Sequence, residues 1–523
     1  MPIEGPPLRG PAAPLPLVVQ AALERSPDAV ALASEVRRIT WRELDRLSSA
    51  LAAGYGTLGL APGDRVASLM PNRIDLVIHY IACARAGLVA TPLNYRYTAT
   101  EIDHALEVSG AAALLVHAER AADVAASRLA PDLPRGVISY QEQEPAISAH
   151  RFEALAAEEP RPADLPTVDL AAPAAIFFTS GSTGPAKGVT HTFETLAWMC
   201  AATADAFGLT PDDVFVPGSS MSHVGSFLWT FATLSAGARV AVVRDLDAHG
   251  VLTMLRAERP TVLAMLPAAL TALLRDHDVT PEDFASLRIC RAGSDKVSVE
   301  LESEFAHLVG FPIVEGYGMT EVGMATLNPP SGLVKPGSIG RPVGGFAIAL
   351  RDEAGGEVPT GTTGRVWIKS PTCTVGYWGD PAASAEILED GWLDSGDLAS
   401  ADEDGYLWFF GRKKQIIVHD GSNISPFEVE GALTEHPAVA LAGVVGIHDL
   451  VHGENVRAYV TVEAGERRPT ANELIAFARA RVGYKAPEEV VFLDEMPLNP
   501  TGKIDRVGLK RIAEEHLHPH GLP

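Results

Sequence analysis

Short apolar β-type runs alternate with helical stretches along most of this chain, and that rhythm narrows the fold more than any other feature. Residues 41–60 carry helical spacing, 65–69 read as a strand and 75–86 as a helix again. A strand at 88–92, a helix at 99–108 and a strand at 112–116 follow, and the same beat runs from residue 174 to 314. Strands separated by helices line up in parallel and need helices to cover their faces. From about Gly337 the character changes to glycine- and proline-punctuated strands such as 346–350 and 364–368, which points to a small antiparallel or barrel-like piece. Another strand ends in Gly411-Arg412-Lys413-Lys414. The pattern then restarts, with helices expected at 427–435 and 471–482 and strands at 440–446 and 456–462. A separate small domain is expected beyond 412–414, where few apolar positions bridge the boundary.

One glycine-rich segment stands out, Thr179-Ser180-Gly181-Ser182-Thr183-Gly184-Pro185-Ala186-Lys187-Gly188. It falls between an apolar strand at 174–178 and a helix expected over 193–207. Glycines let such a turn aim its N–H groups inward, the hydroxyls add donors and Lys187 adds a full charge, which suits a nucleoside triphosphate. Pro185 and Ala186 separate Lys187 from the preceding glycine, so this is not the common P-loop. A net charge of −24 over 523 residues speaks against nucleic acid or an anionic membrane as partner, which makes each basic group in a glycine loop more informative. Cys83, Cys200, Cys290 and Cys373 lack the paired spacing of a zinc site or a disulfide framework. Residues 1–17 lack the charged start and apolar core of a signal peptide, no apolar run could span a membrane, and a cytoplasmic setting is expected.

Three further motifs could meet the same ligand. Glu315-Gly316-Tyr317-Gly318-Met319-Thr320-Glu321 follows an expected strand at 312–314, and open α/β sheets bind ligands at strand C-terminal ends. Tyr317 could lie on a base, Thr320 could bond a phosphate and Glu321 could hold Mg²⁺; the other reading is a turn with a buried tyrosine. Asp397, after a glycine in an expected turn, could take both hydroxyls of a ribose with Arg412 nearby, or be an ordinary turn aspartate. Asn499-Pro500-Thr501-Gly502-Lys503 presents Lys503 on a short loop, either to steady charge at phosphorus or as a solvated lysine.

In this order, TSGSTGPAKG, EGYGMTE, SGD, GRKK and PTGK resemble the adenylate-forming superfamily of acyl-CoA synthetases, stand-alone adenylation domains and beetle luciferases. Trp41-Arg-Glu-Leu, Gly63-Asp-Arg-Val, residues 84–94, Gly340-Arg-Pro and Tyr484-Lys-Ala-Pro carry the resemblance over nearly the whole chain. It implies an α/β fold with an N-terminal domain, residues 1–411, of two doubly wound sheets plus a small β-barrel-like subdomain. A small mobile α+β domain, residues 412–523, would follow. It also implies ATP, Mg²⁺ and coenzyme A as ligands. Thr179, Ser180, Gly181, Ser182, Thr183, Gly184 and Lys187 would hold the β- and γ-phosphates. Gly293, Ser294, Asp295, Glu315, Gly316 and Gly318 would border the adenine on which Tyr317 stacks. Thr320 would touch the α-phosphate, Glu321 would bind Mg²⁺, and Asp397 and Arg412 would take the ribose. Lys503 would bridge the attacking carboxylate and the α-phosphate. Lys414 matches the hinge about which the small domain swings, exchanging Lys503 for the loop at Asp420-Gly421, past which pantetheine would enter.

Met221-Ser-His-Val-Gly225 resembles the segment in which a histidine flanks the acid, so His223 is expected beside the carboxylate, a packed helix-start histidine being the alternative. Val224, Gly318 and Met319 would border the acyl group. If 225–234 is helical, Gly225 and Trp229 share a face. Gly225 would then open the acyl pocket and Trp229 would line it, unless Trp229 is a core residue. The absence of an acidic residue in 219–225 argues against an amino-acid substrate. Two departures stand out. Gly293-Ser294-Asp295-Lys296 replaces the family's Gly-Ala-Pro, and residues 496–500 lack the basic residue often found there. The expected activity is an acyl-CoA ligase for a small non-amino carboxylic acid. Its rival is an adenylating enzyme that serves a carrier-protein thiol or a partner acyltransferase.

Overall fold

The computed structural model of the chain describes residues 2–141, 149–157, 166–179, 186–275, 279–293, 297, 299–330, 332–419, 422–449, 453–499 and 502–517. Arg65–Leu69, Val89–Pro92, Ala113–His117, Val137–Tyr140 and His150–Arg151 pair in parallel. Pro173–Thr179 joins this sheet in parallel, and Lys187–Thr192 and Gly376–Tyr377 extend it antiparallel. A second sheet aligns Ile289–Ala292, Val262–Met265, Val214–Gly218, Arg239–Ala241 and Val30–Ala33 in parallel, with Arg38–Thr40 antiparallel at the edge. One buried cluster fills the space between the sheets. It holds Phe177 and Phe215 from strands, and Phe193, Phe227 and Phe231 from the helices Phe193–Ala206 and Val224–Ser235. A separate apolar cluster covers the outer face of each sheet, so both are packed on two sides as the doubly wound reading requires. Helix starts follow local chemistry, with capping boxes at Thr40–Glu43, Thr98–Glu101 and Thr470–Glu473.

An antiparallel sheet follows, built from Ala347–Arg351, Gly364–Lys369, Trp392–Ala401 and Leu407–Arg412 with two short edge strands. The last sheet draws all its strands from Ile417–His419 onward and has its own core, including Val444, Val456 and Leu474. Phe409 and Phe427 meet across 412–414 with ring centroids 5.6 Å apart, an apolar link where few were expected. No helix among the described residues is long and apolar enough to cross a membrane.

Three local expectations change. The phosphate-type loop does not run from strand to helix. It joins two antiparallel strands, with Thr179 opposite Lys187, because β-branched Val189, Thr190 and Thr192 favour a strand before the helix begins at Phe193. The expected strand at 312–314 reduces to one bridge between Val314 and Arg291, and Gly316–Met319 itself pairs with Gly323–Leu327 as a hairpin. Asp397 sits inside the Trp392–Ala401 strand rather than in a turn, since Gly396 takes φ +73° and bends the strand without ending it.

Candidate active site

The tyrosine motif is built by its glycines. A Cβ at Gly316 would lie 2.5 Å from the Thr326 carbonyl oxygen, and one at Gly318 2.2 Å from that of Gly323. Only glycine lets the two hairpin strands approach so closely, and the approach projects Tyr317 sideways and Thr320–Glu321 at the tip. Tyr317 is half-buried, with its ring near Phe409 at 6.0 Å between centroids and an interplanar angle of 29°. Its hydroxyl donates to Asp397 Oδ2 at 2.5 Å.

Asp397 is opposite Arg412 in the strand pairing, and Arg412 Nε lies 3.4 Å from Asp397 Oδ1. That Oδ1 is buried without a hydrogen bond. Burial pushes the carboxyl above the usual aspartate range, while Arg412 and the Tyr317 hydroxyl oppose it. Glu321 is also buried, and burial raises its carboxyl too. Its Oε1 accepts from the Tyr377 hydroxyl at 3.0 Å. Lys187 Nζ stands 4.8 Å from the centre of the same Tyr377 ring. The glycine-rich loop's lysine and the glutamate thus share one tyrosine, because Tyr377 pairs with Val189 on the lysine's own strand. Thr374 strengthens that join, its N–H donating to the Glu321 carbonyl and its hydroxyl to that of Thr190. Among the described residues, no group of three or more His, Cys, Asp or Glu side chains could cage a metal.

His223 caps the start of Val224–Ser235 and is half-buried. Its Nε2 lies 3.4 Å from Asn94 Nδ2, and burial, aided by the charge of Lys503, holds the ring down to about 4, so it is neutral at pH 7. Lys503 lies exposed on a tight turn where its N–H donates to Asn499 Oδ1 at 3.1 Å and the Asn499 N–H donates to its carbonyl at 2.7 Å. Its charge acts on both His223, at the start of a helix, and Asp397, inside the Trp392–Ala401 strand.

Gly225 is exposed, and a Cβ there would meet nothing within 4 Å. Val224 beside it is half-buried. Trp229 instead is buried against Phe207 and Phe215, with ring centroids 3.9 and 5.5 Å away, which is the core alternative. Gly318 is exposed and Met319 half-buried beside Tyr317, whose hydroxyl lies 3.8 Å from its sulfur. Gly293 follows the Ile289–Ala292 strand, and Lys414 is exposed in the short turn Lys413–Gln415. Thr179 is half-buried at its strand end. Ser180–Gly184, Ser294, Asp295, Asp420 and Gly421 lie outside the described residues.

Sequence reasoning missed three contributors. Tyr377 and Asn94 have no local signature. His191 could have been found, since it lies an even number of residues from Lys187 on a strand. It is fully buried and its Nε2 donates to the Thr320 carbonyl at 2.8 Å, so it ties the lysine's strand to the hairpin tip.

Residues 19–378 match the family described as AMP-binding enzyme, and residues 428–503 match the AMP-binding enzyme C-terminal domain. A feruloyl-CoA synthase from an Amycolatopsis species is 35% identical over 493 residues, covering 93% of this chain and 96% of its own. A fatty acid–[acyl-carrier-protein] ligase of Streptomyces coeruleorubidus is 33% identical, with 93% and 94% covered. Among solved structures, ATP-bound MatB from Rhodopseudomonas palustris superposes with a TM-score of 0.88 at 27% identity, over 97% of this chain and 99% of that one. Apo MatB, with the same coverage, gives 0.77. With both family domains in sequence and relatives of matching length, this chain belongs to the adenylate-forming AMP-binding enzymes, on their acyl-CoA synthetase branch.

Proposed function

We propose that this site joins a non-amino carboxylic acid to ATP as an acyl-adenylate, releasing pyrophosphate, and then passes the acyl group to the thiol of coenzyme A with release of AMP. Acyl-CoA ligase activity is the function of the branch to which the chain belongs. One observation carries the assignment of residues: Asp397, held by the Tyr317 hydroxyl and facing Arg412, keeps a buried oxygen without a hydrogen bond. Lys503 is the cation whose charge acts on that carboxylate and on His223. The acid carboxylate and the α-phosphate are both anions, and a cation between them offsets their repulsion as the bond forms. His223, neutral, offers a hydrogen bond to the acid without adding charge. Asp397 takes the ribose through the oxygen that has no hydrogen bond in the free site, with Arg412 beside it. Thr320 and Lys187 attend the phosphates, and Tyr317 flanks the base. Glu321 is a single carboxylate, which suits Mg²⁺, an ion usually held by one or two carboxylates with phosphate and water oxygens supplying the rest. The ion's contribution when bound is to neutralise phosphate charge.

The better superposition on ATP-bound than on apo MatB supports an arrangement like that of the nucleotide-bound relative. The small domain begins at 412 and turns about Lys414, the swing carrying Lys503 away before thiol transfer.

The test is acid-dependent pyrophosphate release with Mg·ATP over a broad acid panel, with and without coenzyme A. Sustained turnover to acyl-CoA only when coenzyme A is present supports the reading. A single burst of acyl-AMP that coenzyme A cannot discharge transfers the second step to a carrier-protein thiol, the acceptor named for one relative. Lys503→Ala should slow adenylation by about 10²–10³-fold while sparing transfer from synthetic acyl-AMP. Equal loss in both halves overturns the role given to Lys503.

A further inference from the structure

Phe427 stands in the first turn of the helix Pro426–Thr434, beyond Lys414, and its ring has two distinctive neighbours. One is Phe409 of the Leu407–Arg412 strand, met edge to face at 69° between ring planes. The strand end is close as well, since a Cβ at Gly411 would lie 3.6 Å from Phe427 Cδ2 and 3.4 Å from Ser425 Oγ. Phe409 in turn stacks with Tyr317, the ring that flanks the base in the site proposed above. The other neighbour is Arg506, whose guanidinium carbon lies 4.3 Å from the Phe427 ring centre, within cation–π range.

Arg506 opens the helix Arg506–Leu517, directly after the turn that presents Lys503. Its Nη2 donates to both Glu430 oxygens, at 2.7 and 2.5 Å, and Glu430 comes from the same helix as Phe427. Glu430 Oε1 also accepts the Val444 N–H at 2.7 Å, so the carboxylate is fixed from a third element. The Asp505 N–H, beside Arg506, donates to the Pro497 carbonyl at 2.9 Å and closes the base of the Lys503 turn. A largely buried ion pair thus joins that turn to the helix of Phe427. Tyr317 and Phe409 precede Lys414 in the chain, whereas Phe427, Glu430 and Arg506 follow it. A swing about Lys414 that withdraws Lys503 must therefore part Phe427 from Phe409. An aromatic pair is worth about 2–10-fold in an equilibrium constant beyond the area it buries.

We propose that Phe427 is a positioning residue for Lys503: its contact with Phe409 holds the Lys503 turn at the adenylating site and opens before thiol transfer. This rests on the acyl-CoA ligase reading above, including the swing about Lys414. Such a contact acts on rate through populations, so losing it moves the two half-reactions in opposite directions. The test measures each half at saturating substrates, adenylation as acid-dependent pyrophosphate release in a single turnover and transfer as acyl-CoA formed from synthetic acyl-AMP. Wild type, Phe427→Leu, Phe427→Tyr and Phe409→Leu are compared, and KM for ATP is followed in each. Phe427→Leu keeps an apolar side chain but removes the ring, and should lower the ratio of adenylation to transfer by about 3–10-fold. Phe427→Tyr keeps the ring and should keep the wild-type ratio. Phe409→Leu removes the same contact from the other side of Lys414 and should lower the ratio too. If Phe427→Leu slows both halves equally or neither, the proposal fails. An unmoved ratio in Phe409→Leu overturns it even where Phe427→Leu does not fold. A raised KM for ATP with the ratio intact also overturns it, assigning Phe427 to the nucleotide. If wild type releases no pyrophosphate with any acid, or transfers nothing from acyl-AMP, the ligase reading itself is overturned and this inference with it.

Discussion

Asp213 and Asp397 are both almost wholly buried, at 4% and 2% exposure, and both face an arginine, yet their carboxyls are pushed in opposite directions. Burial works against the charge of Asp213, but five hydrogen bonds outweigh it: two from Arg288 at 2.8 Å, the Thr261 hydroxyl at 2.6 Å, and the Thr210 N–H and hydroxyl at 2.9 and 3.2 Å. Its carboxyl is held down to about 2. Asp397 receives one hydrogen bond, from Tyr317, and its other oxygen has none, so burial prevails and the carboxyl rises. The difference lies in how many donors the fold supplies. Asp213 is finished by the protein and locks the base of the second sheet. Asp397 is left for a ligand to finish.

Within this comparison the largest effect should come from changing that pair. Asp397→Asn should weaken kcat/KM for ATP by about 10–100-fold, as losing charge-assisted bonds to a ligand does, while leaving the unfolding midpoint unchanged or higher. Asp213→Asn should do the reverse, costing about 2–4 kcal/mol of stability with the kinetic constants for ATP retained. Denaturant melts and ATP kinetics on both variants decide it, and two variants that behave alike would dissolve the contrast.

A smaller effect extends the contrast to pH. Burial lowers His79 to about 3 and His191 and His223 to about 4, from an ordinary value of 6.5. Between those limits the unfolded chain binds protons that the folded chain refuses, so stability is full above about pH 6.5 and lost as pH falls toward 4. Each histidine contributes up to about 1.4 kcal/mol per pH unit in that window. Asp213 adds its own loss only below 3.8, whereas the raised Glu321 and Asp397 gain protons more readily folded and oppose the trend. Unfolding free energy that stays flat from neutral pH to about 5 would contradict this ordering.

The smallest expected change is Gly225→Ala. Nothing meets a Cβ there, so stability should move by no more than about 0.5 kcal/mol, while the widest acids that the enzyme accepts should lose affinity. If an acid panel shows no change in size selection, Gly225 does not border the acyl site.

Much of the frame was readable before any coordinates, because hydrophobic periodicity is a local property. The helix expected at 471–482 is found at Ala471–Val482, and the expected strand at 65–69 is Arg65–Leu69. Motif order, too, survives as text. What local pattern misread were segments whose state depends on a distant partner. Lys187–Thr192 becomes a strand because Pro173–Thr179 and Gly376–Tyr377 flank it, and Asp397 lies in a strand because Leu407–Arg412 runs opposite. Tyr377 and Asn94 were invisible for the same reason, their roles arising from contacts far away in sequence.

By itself the sequence determined the α/β class, the family motifs and the chemical inventory of the site, since these rest on spacing and residue type alone. Only the tertiary structure decided that Trp229 is core while Gly225 is open, that His191 holds the Thr320 carbonyl, and that one oxygen of Asp397 is buried without a hydrogen bond. Burial and hydrogen-bond satisfaction are properties of neighbours brought together by folding, and they separate an aspartate that holds the protein together from one held ready for a substrate.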